Sequence, residues 1–196
     1  MENKIDLKSE IINRITDSID VKSSLLDDSE LISTVSDVVD ICVYAINADH
    51  KIWFCGNGGS AADAQHLAAE FSGRFYHDRD PYFAEALHVN TSYITAVAND
   101  YSYDQIYSRL IKAKGRSGDV LFGMSTSGNS KNVVEAFKQA SKQDVVTIAM
   151  TGSKGGALVD NADIVLRMPS DDTPRIQEAH MLIGHIICEL TERELM

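Results

Sequence analysis

His66 and Glu70 stand four positions apart in the stretch QHLAAE, at residues 65–70. On an α-helix that spacing is about one turn, so the imidazole and the carboxylate would project from the same face. Both side chains are suitable zinc ligands, and a carboxylate can also transfer a proton. An isolated pair of this kind is commonly a solvated helix face, but this pair follows a glycine-containing loop, which favours a functional site.

Two loops of small and polar residues could bind a phosphate group. The first is GNGGS at 56–60 and the second is STSGNS at 125–130. Each leads from a predicted strand into a predicted helix, whose first N–H groups and partial positive charge attract anions. Neither loop has the G-x-G-x-x-G spacing of a dinucleotide site or the Gly-Lys-Ser/Thr of a P-loop. The loops therefore predict a small phosphorylated metabolite as ligand.

The composition excludes several classes of protein. A formal net charge of −11 over 196 residues opposes binding to nucleic acid, which needs clustered Lys and Arg. No run of about 18 apolar residues could span a bilayer, and the N-terminal MENKIDLKSE is too polar for a secretory signal, so we expect a cytoplasmic protein without a membrane partner. Cys42, Cys55 and Cys188 form no CxxC pair and are expected to be buried, reduced thiols.

The first fifty residues contain neither glycine nor proline and show helical periodicity. They predict two helices, at about 3–20 and 29–48. Asp27, Asp28 and Ser29 would supply the cap between them. The apolar stripe of the second helix is wide, which suits packing against a neighbouring element or another subunit.

Short apolar runs alternate with helical stretches after residue 50. Two of the runs, VLFGM and VVTIAM, are apolar throughout, as expected for parallel strands covered by helices on both faces. The pattern predicts a doubly wound α/β fold with a five-stranded parallel sheet. The predicted strands are 52–55, 84–89, 119–124, 145–150 and 164–168, with a helical stretch at 91–98 and a final helix at 174–194.

The chain shows no internal repeat and no linker, so we interpret 1–196 as a single domain. Residues 1–48 form its N-terminal helical pair, and 50–196 form the sheet core and the C-terminal helix. In open parallel sheets ligands bind beyond the carboxyl ends of the strands, which is where both candidate phosphate loops would lie.

Four motifs together resemble the phosphoheptose isomerases, a family within the sugar-isomerase (SIS) fold. They are CGNGGSAADAQHLAAE at 55–70, STSGNS at 125–130, TGSKGG at 151–156 and RIQEAH at 175–180. The resemblance covers nearly the whole chain. It implies an aldose–ketose isomerisation of sedoheptulose 7-phosphate to D-glycero-D-manno-heptopyranose 7-phosphate, the first step toward ADP-heptose for a surface polysaccharide.

The resemblance also implies a set of site residues. One zinc ion per subunit would be bound by His66, Glu70, Gln177 and His185, in a homotetramer with its sites at subunit interfaces. Isomerisation moves a proton between neighbouring carbons, and a carboxylate can take and return it, so Glu70 is the candidate base and His185 the candidate acid. The positions that match sugar and phosphate contacts are Asn57, Gly58, Gly59, Ser60, Glu70, Arg74, Asn99, Asp100, Ser125, Thr126, Ser127, Ser130 and Gln177.

Three points stay open at this stage. Helix spacing favours His180 over His185 as the partner of Gln177, whereas the resemblance favours His185. Gln177 and His185 would be separated by about 12 Å along one helix, so the metal site could be shared between subunits or lie under a leaning helix. The family often has an Asp where this chain has Pro174, and a neighbouring Asp at 171 or 172 could replace it.

Two other functions compete with this one. A non-catalytic SIS-domain regulator that binds the bacterial replication initiator is also similar, but that protein lacks the Glu and the second His of the metal site, both of which are present here. The chain could also isomerise another sugar phosphate.

Overall fold

Two helices precede the sheet. The computed structural model describes residues 5–196, in which α1 spans Leu7–Leu26 and α2 spans Ser29–Asn47. The predicted cap of α2 is confirmed, because the Asp28 carboxylate accepts a hydrogen bond of 2.9 Å from the N–H of Leu31. The predicted end of α1 at residue 20 is wrong, since no glycine or proline stops the helix before Leu26. Residues 3 and 4 of that predicted helix lie outside the described residues.

Five parallel strands form the sheet, in the order β2-β1-β3-β4-β5, which confirms the predicted fold class. The edge strand β2 is shorter than the predicted 84–89. It ends at Ala86 because the chain turns there, with the N–H of Val89 donating to the carbonyl of Ala86. The strands are β1 (Ile52–Gly56), β2 (Ala84–Ala86), β3 (Val120–Ser125), β4 (Val146–Thr151) and β5 (Ile164–Arg167).

Helices cover both faces of the sheet, as the apolar strands require. Alternate strand residues face opposite sides: Phe54 and Phe122 pack in the cluster with α2 and the helices around the site, and Trp53 and Leu121 pack on the other side. The Phe54 and Phe122 rings stack with centroids 5.0 Å apart. The remaining helices are α3 (Gly59–Ser72), α4 (Thr91–Asp100), α5 (Ile106–Lys114), α6 (Lys131–Ser141) and α7 (Thr173–Glu194).

The carboxyl ends of β1 and β3 lie side by side, with Gly56 paired to Met124. The loops that follow these two strands therefore meet at one edge of the sheet. Helix α3 begins within the first loop, at Gly59, and packs against α7 from the far end of the chain. Among residues 5–196, no helix combines the length and the apolar character needed to cross a membrane.

Candidate active site

The loop after β1 is held by amide hydrogen bonds. Asn57 and Asn132, at the start of α6, donate to each other's carbonyl oxygens at 2.8 Å in both directions. The hydroxyl of Tyr103 donates to the same Asn57 oxygen at 3.0 Å. Gly58 has φ +57°, a conformation that a residue with a Cβ rarely adopts. The loop is thus held by these contacts, with Asn57 oriented by two partners.

The loop after β3 presents several hydroxyl groups. The Ser125 and Ser130 hydroxyls lie 2.9 Å apart, and the Ser127 hydroxyl accepts a hydrogen bond of 3.2 Å from the N–H of Asn129. Ser130 precedes the first turn of α6 and makes no side-chain cap hydrogen bond there. These groups suit an anion at the N-terminus of α6. Beside them is a cavity of about 260 Å³ whose lining includes Thr126, Ser127, Lys154, Asp171 and Thr173.

His66, Glu70 and His185 converge at one point. The Nε2 atom of His66 lies 2.9 Å from Nε2 of His185 and 3.2 Å from Oε1 of Glu70. One ligand atom from each of the three residues lies within 4.8 Å of the others, so the cluster could hold a metal ion. His66 and Glu70 share one face of α3, as their spacing predicts, and His185 arrives on α7.

A glycine allows the two helices to approach this closely. Gly184 directly precedes His185, and a Cβ there would lie 2.6 Å from Cδ1 of Leu67, which directly follows His66. Because Gly184 has no side chain, α7 packs against α3 at the position where the two histidines must meet. The close contact between His66 and His185 therefore depends on their neighbours in the chain, Leu67 and Gly184.

Gln177 lies against the beginning of α3. A Cβ at Gly59 would overlap the Gln177 amide nitrogen, so that side chain occupies the space beside the first turn. Gln177 and His185 both line a cavity of about 600 Å³, together with Asp63 and Pro174. Because Gln177 lies beside Gly59 and Gly184 lies beside Leu67, this length of α7 runs along α3.

His180 does not join the cluster, although helix spacing favoured it. Its side chain is fully buried, and Nε2 lies 3.2 Å from the carbonyl oxygen of Thr151 at the end of β4. Burial lowers the pKa of His180 from 6.5 to about 4, against a smaller opposing effect of the Thr151 carbonyl. The residue faces the sheet, and it packs there as a neutral imidazole.

Three candidate contact residues lie away from these groups. Asn99 and Asp100 belong to the last turn of α4, two residues beyond its predicted end, where the Asn99 amide donates to Asp100 at 2.9 Å. Arg74 is exposed just after α3. The described contacts connect none of the three to the His66 cluster. Ser60, by contrast, is buried in the first turn of α3.

Two acidic side chains, Asp63 and Glu178, line the same cavity as Pro174. Asp171 bonds to the Ser153 hydroxyl and to Lys154, and it lines the smaller cavity near the second loop. Asp172 is exposed before α7. Asp63 lines the larger cavity, and its Oδ2 atom is buried without a hydrogen-bond partner among the described residues.

Sequence reasoning missed Asp63, Tyr103 and Asn132. Burial raises the pKa of the Asp63 carboxyl, which the charge of His66 opposes. Its position three residues before His66 on the same helix was a signal that could have found it. Tyr103 and Asn132 carried no such local signal, because each reaches Asn57 from a distant part of the chain.

Comparisons with known proteins identify the family of this chain. Residues 20–152 match the family model of the SIS domain. The chain is 46% identical over 189 residues to a phosphoheptose isomerase of Sulfurimonas denitrificans, covering 96% of this chain and 97% of that protein. The phosphoheptose isomerase structure from Neisseria gonorrhoeae superimposes with a TM-score of 0.89 at 39% identity, covering 95% of this chain and 99% of the other.

A second solved structure gives the same result. The phosphoheptose isomerase from Francisella tularensis superimposes with a TM-score of 0.92 at 33% identity, covering 96% of this chain and all of the other (100%). In both structures the likeness extends over the helices and the sheet alike, since the coverage is nearly complete. The chain therefore belongs to the phosphoheptose isomerase family of SIS-domain enzymes.

Proposed function

We propose that the protein converts sedoheptulose 7-phosphate to D-glycero-D-manno-heptopyranose 7-phosphate through an enediol, the first step toward ADP-heptose. The observation that carries this proposal is the convergence of His66, Glu70 and His185 within 4.8 Å of one another, beside loops suited to a phosphate. A general base and a proton donor must both reach the same two carbons and their oxygens in this reaction. Glu70 on α3 and His185 on α7 would supply these two groups.

Glu70 would transfer the proton. Its carboxylate would remove a proton from C1 of the ketose while protonated His185 donates one to O2, which gives the enediol. His185 would then take the proton from the O1 hydroxyl as Glu70 returns its proton to C2. An imidazole has two nitrogens, so one can face a metal while the other carries a proton. The charge and atom count balance without an external redox partner.

Substrate binding would use the two loops at the carboxyl edge of the sheet. The hydroxyl groups of the second loop and the start of α6 suit the phosphate, and the first loop suits the sugar hydroxyls. Gln177 would contact the sugar from α7. The residues proposed for these contacts are Asn57, Gly58, Gly59, Ser60, Glu70, Arg74, Asn99, Asp100, Ser125, Thr126, Ser127, Ser130 and Gln177.

We propose zinc as the bound metal, because it fits the donor set. Two imidazole nitrogens and a carboxylate oxygen already converge, and these are ordinary zinc ligands. His66, Glu70, Gln177 and His185 would hold one ion per subunit, with the Gln177 amide as a weaker fourth ligand. When bound, zinc would polarise the sugar oxygens and stabilise the negative charge that develops on them.

We also propose that the single domain of residues 1–196 assembles as a cytoplasmic homotetramer with its sites at subunit interfaces. The exposed face of α1 supports an assembly, because Ile11, Ile15 and Ile19 recur every four residues and are each more than half exposed. A mainly apolar cavity of about 360 Å³ between α2 and α7 is a second uncovered surface. A monomer in sedimentation equilibrium would contradict the assembly.

One assay tests the function. Purified protein is stripped of metal, divided, and offered sedoheptulose 7-phosphate with and without added zinc. We expect the aldose product to form only in the zinc-loaded half, as followed by NMR of the sugar protons. Absence of turnover by the zinc-loaded protein would contradict the proposal.

A further inference from the structure

A buried ion pair joins the ends of the two helices that carry the cluster. Nε of Arg79, in the loop after α3, donates to Oε1 of Glu192, in the last turns of α7, at 2.9 Å. The side chains are only 8% and 1% exposed. Burying two charges costs desolvation free energy, so a pair of this kind is often no more stabilising than apolar side chains of the same volume. Stability alone therefore does not explain the pair.

Arg79 closes the C-terminal end of α3. Its terminal nitrogens donate to the carbonyl oxygens of Glu70 and Phe71, both at 3.1 Å, and of Gly73 at 3.4 Å. The last carbonyls of a helix have no partner within the helix, and Arg79 supplies it. The guanidinium also stacks over the ring of Tyr82 at 3.8 Å. The backbone carbonyl of Glu70 is thereby hydrogen-bonded directly to Arg79.

Glu192 holds the segment that follows α3. Its two oxygens accept hydrogen bonds of 2.8–3.1 Å from the N–H groups of Phe75, Tyr76 and His77. The segment places the Phe75 ring against that of His185, with centroids 5.9 Å apart. Glu192 also follows His185 by seven residues on α7, about two turns, so both side chains point to the same side of that helix.

We propose that Arg79 and Glu192 form a positioning pair that sets the distance between Glu70 on α3 and His185 on α7. Neither side chain belongs to the proposed substrate or metal site. It acts through the Glu70 carbonyl on one side and through Phe75 and α7 on the other. Only the kinetic test of this inference rests on the proposed function. The placement of the metal ligands can be measured without turnover.

The experiment uses the full chain with Glu192→Gln and Arg79→Lys, each of which keeps the side-chain size but breaks the charged, forked contact. The matched control is Glu135→Gln, which breaks the exposed pair of Glu135 and Lys138 on α6. For each variant we would measure zinc affinity by chelator competition, the visible absorption of the Co²⁺-substituted protein, and kcat and KM for sedoheptulose 7-phosphate. Circular dichroism and thermal unfolding report whether the variant is folded.

We expect both variants to lose about 10- to 100-fold in kcat with a nearly unchanged KM, and to bind zinc about tenfold more weakly. Their Co²⁺ spectra should change in shape, because the ligands move. The control should match the wild-type protein in all three measurements. A merely stabilising role would lower the unfolding temperature while the folded variants kept the wild-type kcat and Co²⁺ spectrum, and this result would overturn the proposal.

A third test variant covers the case in which neither the Glu192→Gln nor the Arg79→Lys protein folds. Phe75→Leu keeps the backbone N–H that Glu192 binds and removes only the ring beside His185. We expect it to fold, to lower kcat and to alter the Co²⁺ spectrum, and wild-type values for both would overturn the proposal. If the wild-type enzyme does not turn over sedoheptulose 7-phosphate, the proposed function fails, while zinc affinity and the Co²⁺ spectra still decide the role of the pair.

Discussion

The Nε2 atoms of His66 and His185 lie 2.9 Å apart, although 119 residues separate the two histidines in the chain. Two lone pairs at this distance repel each other, so a proton or a cation must lie between or beside them. Oε1 of Glu70 lies 3.2 Å from the same His66 nitrogen and adds a negative charge. The three side chains could therefore hold a metal ion in place of the proton.

Loss of either histidine should weaken metal binding. We expect His66→Ala and His185→Ala each to lower zinc affinity by about 100-fold or more, because a ligand disappears from a small set. His180→Gln is the matched comparison on α7, since His180 faces Thr151 and not the cluster. Zinc content after dialysis against a graded chelator checks this. If His185→Ala retained zinc and His180→Gln lost it, His180 rather than His185 would be the metal ligand on α7.

Two neighbouring glycines should respond differently to alanine. Gly59→Ala adds a Cβ that overlaps the Gln177 amide nitrogen, while its helical position tolerates alanine. We expect about tenfold weaker zinc binding with little change in stability. Gly58→Ala meets open space but must adopt φ +57°, so it should lower the unfolding free energy by about 1–3 kcal/mol. Wild-type zinc affinity and turnover in Gly59→Ala would show that metal binding does not need Gln177 in its observed position.

Tyr103→Phe should weaken substrate binding moderately. The variant loses the 3.0 Å hydrogen bond to Asn57, which keeps its other partner Asn132. One hydrogen bond contributes about 0.5–1.5 kcal/mol, so kcat/KM should fall about twofold to tenfold. Tyr44→Phe, at an exposed position on α2, is the control and should leave kcat/KM unchanged. Equal kcat/KM in both variants would show that Tyr103 does not orient Asn57.

Buried His180 should make stability depend on pH. Burial lowers its pKa in the folded protein from 6.5 to about 4, so the unfolded chain binds more protons between these values. The stability from this neutral histidine is complete above pH 6.5 and is lost as the pH falls toward 4, by about 3 kcal/mol at most. Urea unfolding at pH 7.5 and pH 5 would measure it. His180→Gln should show a smaller difference between the two pH values than the wild-type protein, and an equal difference would contradict the assignment.

The sheet could be predicted from the sequence because its strands are buried on both faces. Continuous apolar runs such as VLFGM gave strands close to their observed bounds. The edge strand β2 was predicted too long, since its end depends on the turn at Ala86 and on pairing with β1 alone. In the structure α1 ends where Asp27 and Asp28 separate it from α2.

The site could be predicted only in part. His66 and Glu70 lie one turn apart on one helix, so their spacing in the sequence was sufficient to predict that they share a face. Local spacing favoured His180 over His185, because it contains no information on which side of α7 faces α3. That choice is made by Gly184 and Leu67, which allow the close helix contact. The Arg79–Glu192 pair spans 113 residues and had no local signature at all.

The most direct test of the central claim compares the wild-type enzyme with Glu70→Gln at equal zinc occupancy. Zinc is added until both proteins contain one ion per chain, and kcat for sedoheptulose 7-phosphate is measured under saturating substrate. Gln can still bind a metal through its carbonyl oxygen but cannot accept the proton from C1, so kcat should fall by about 10²–10⁴-fold. A zinc-loaded Glu70→Gln variant that turns over substrate within a few-fold of the wild-type rate would contradict the assignment of Glu70 as the base.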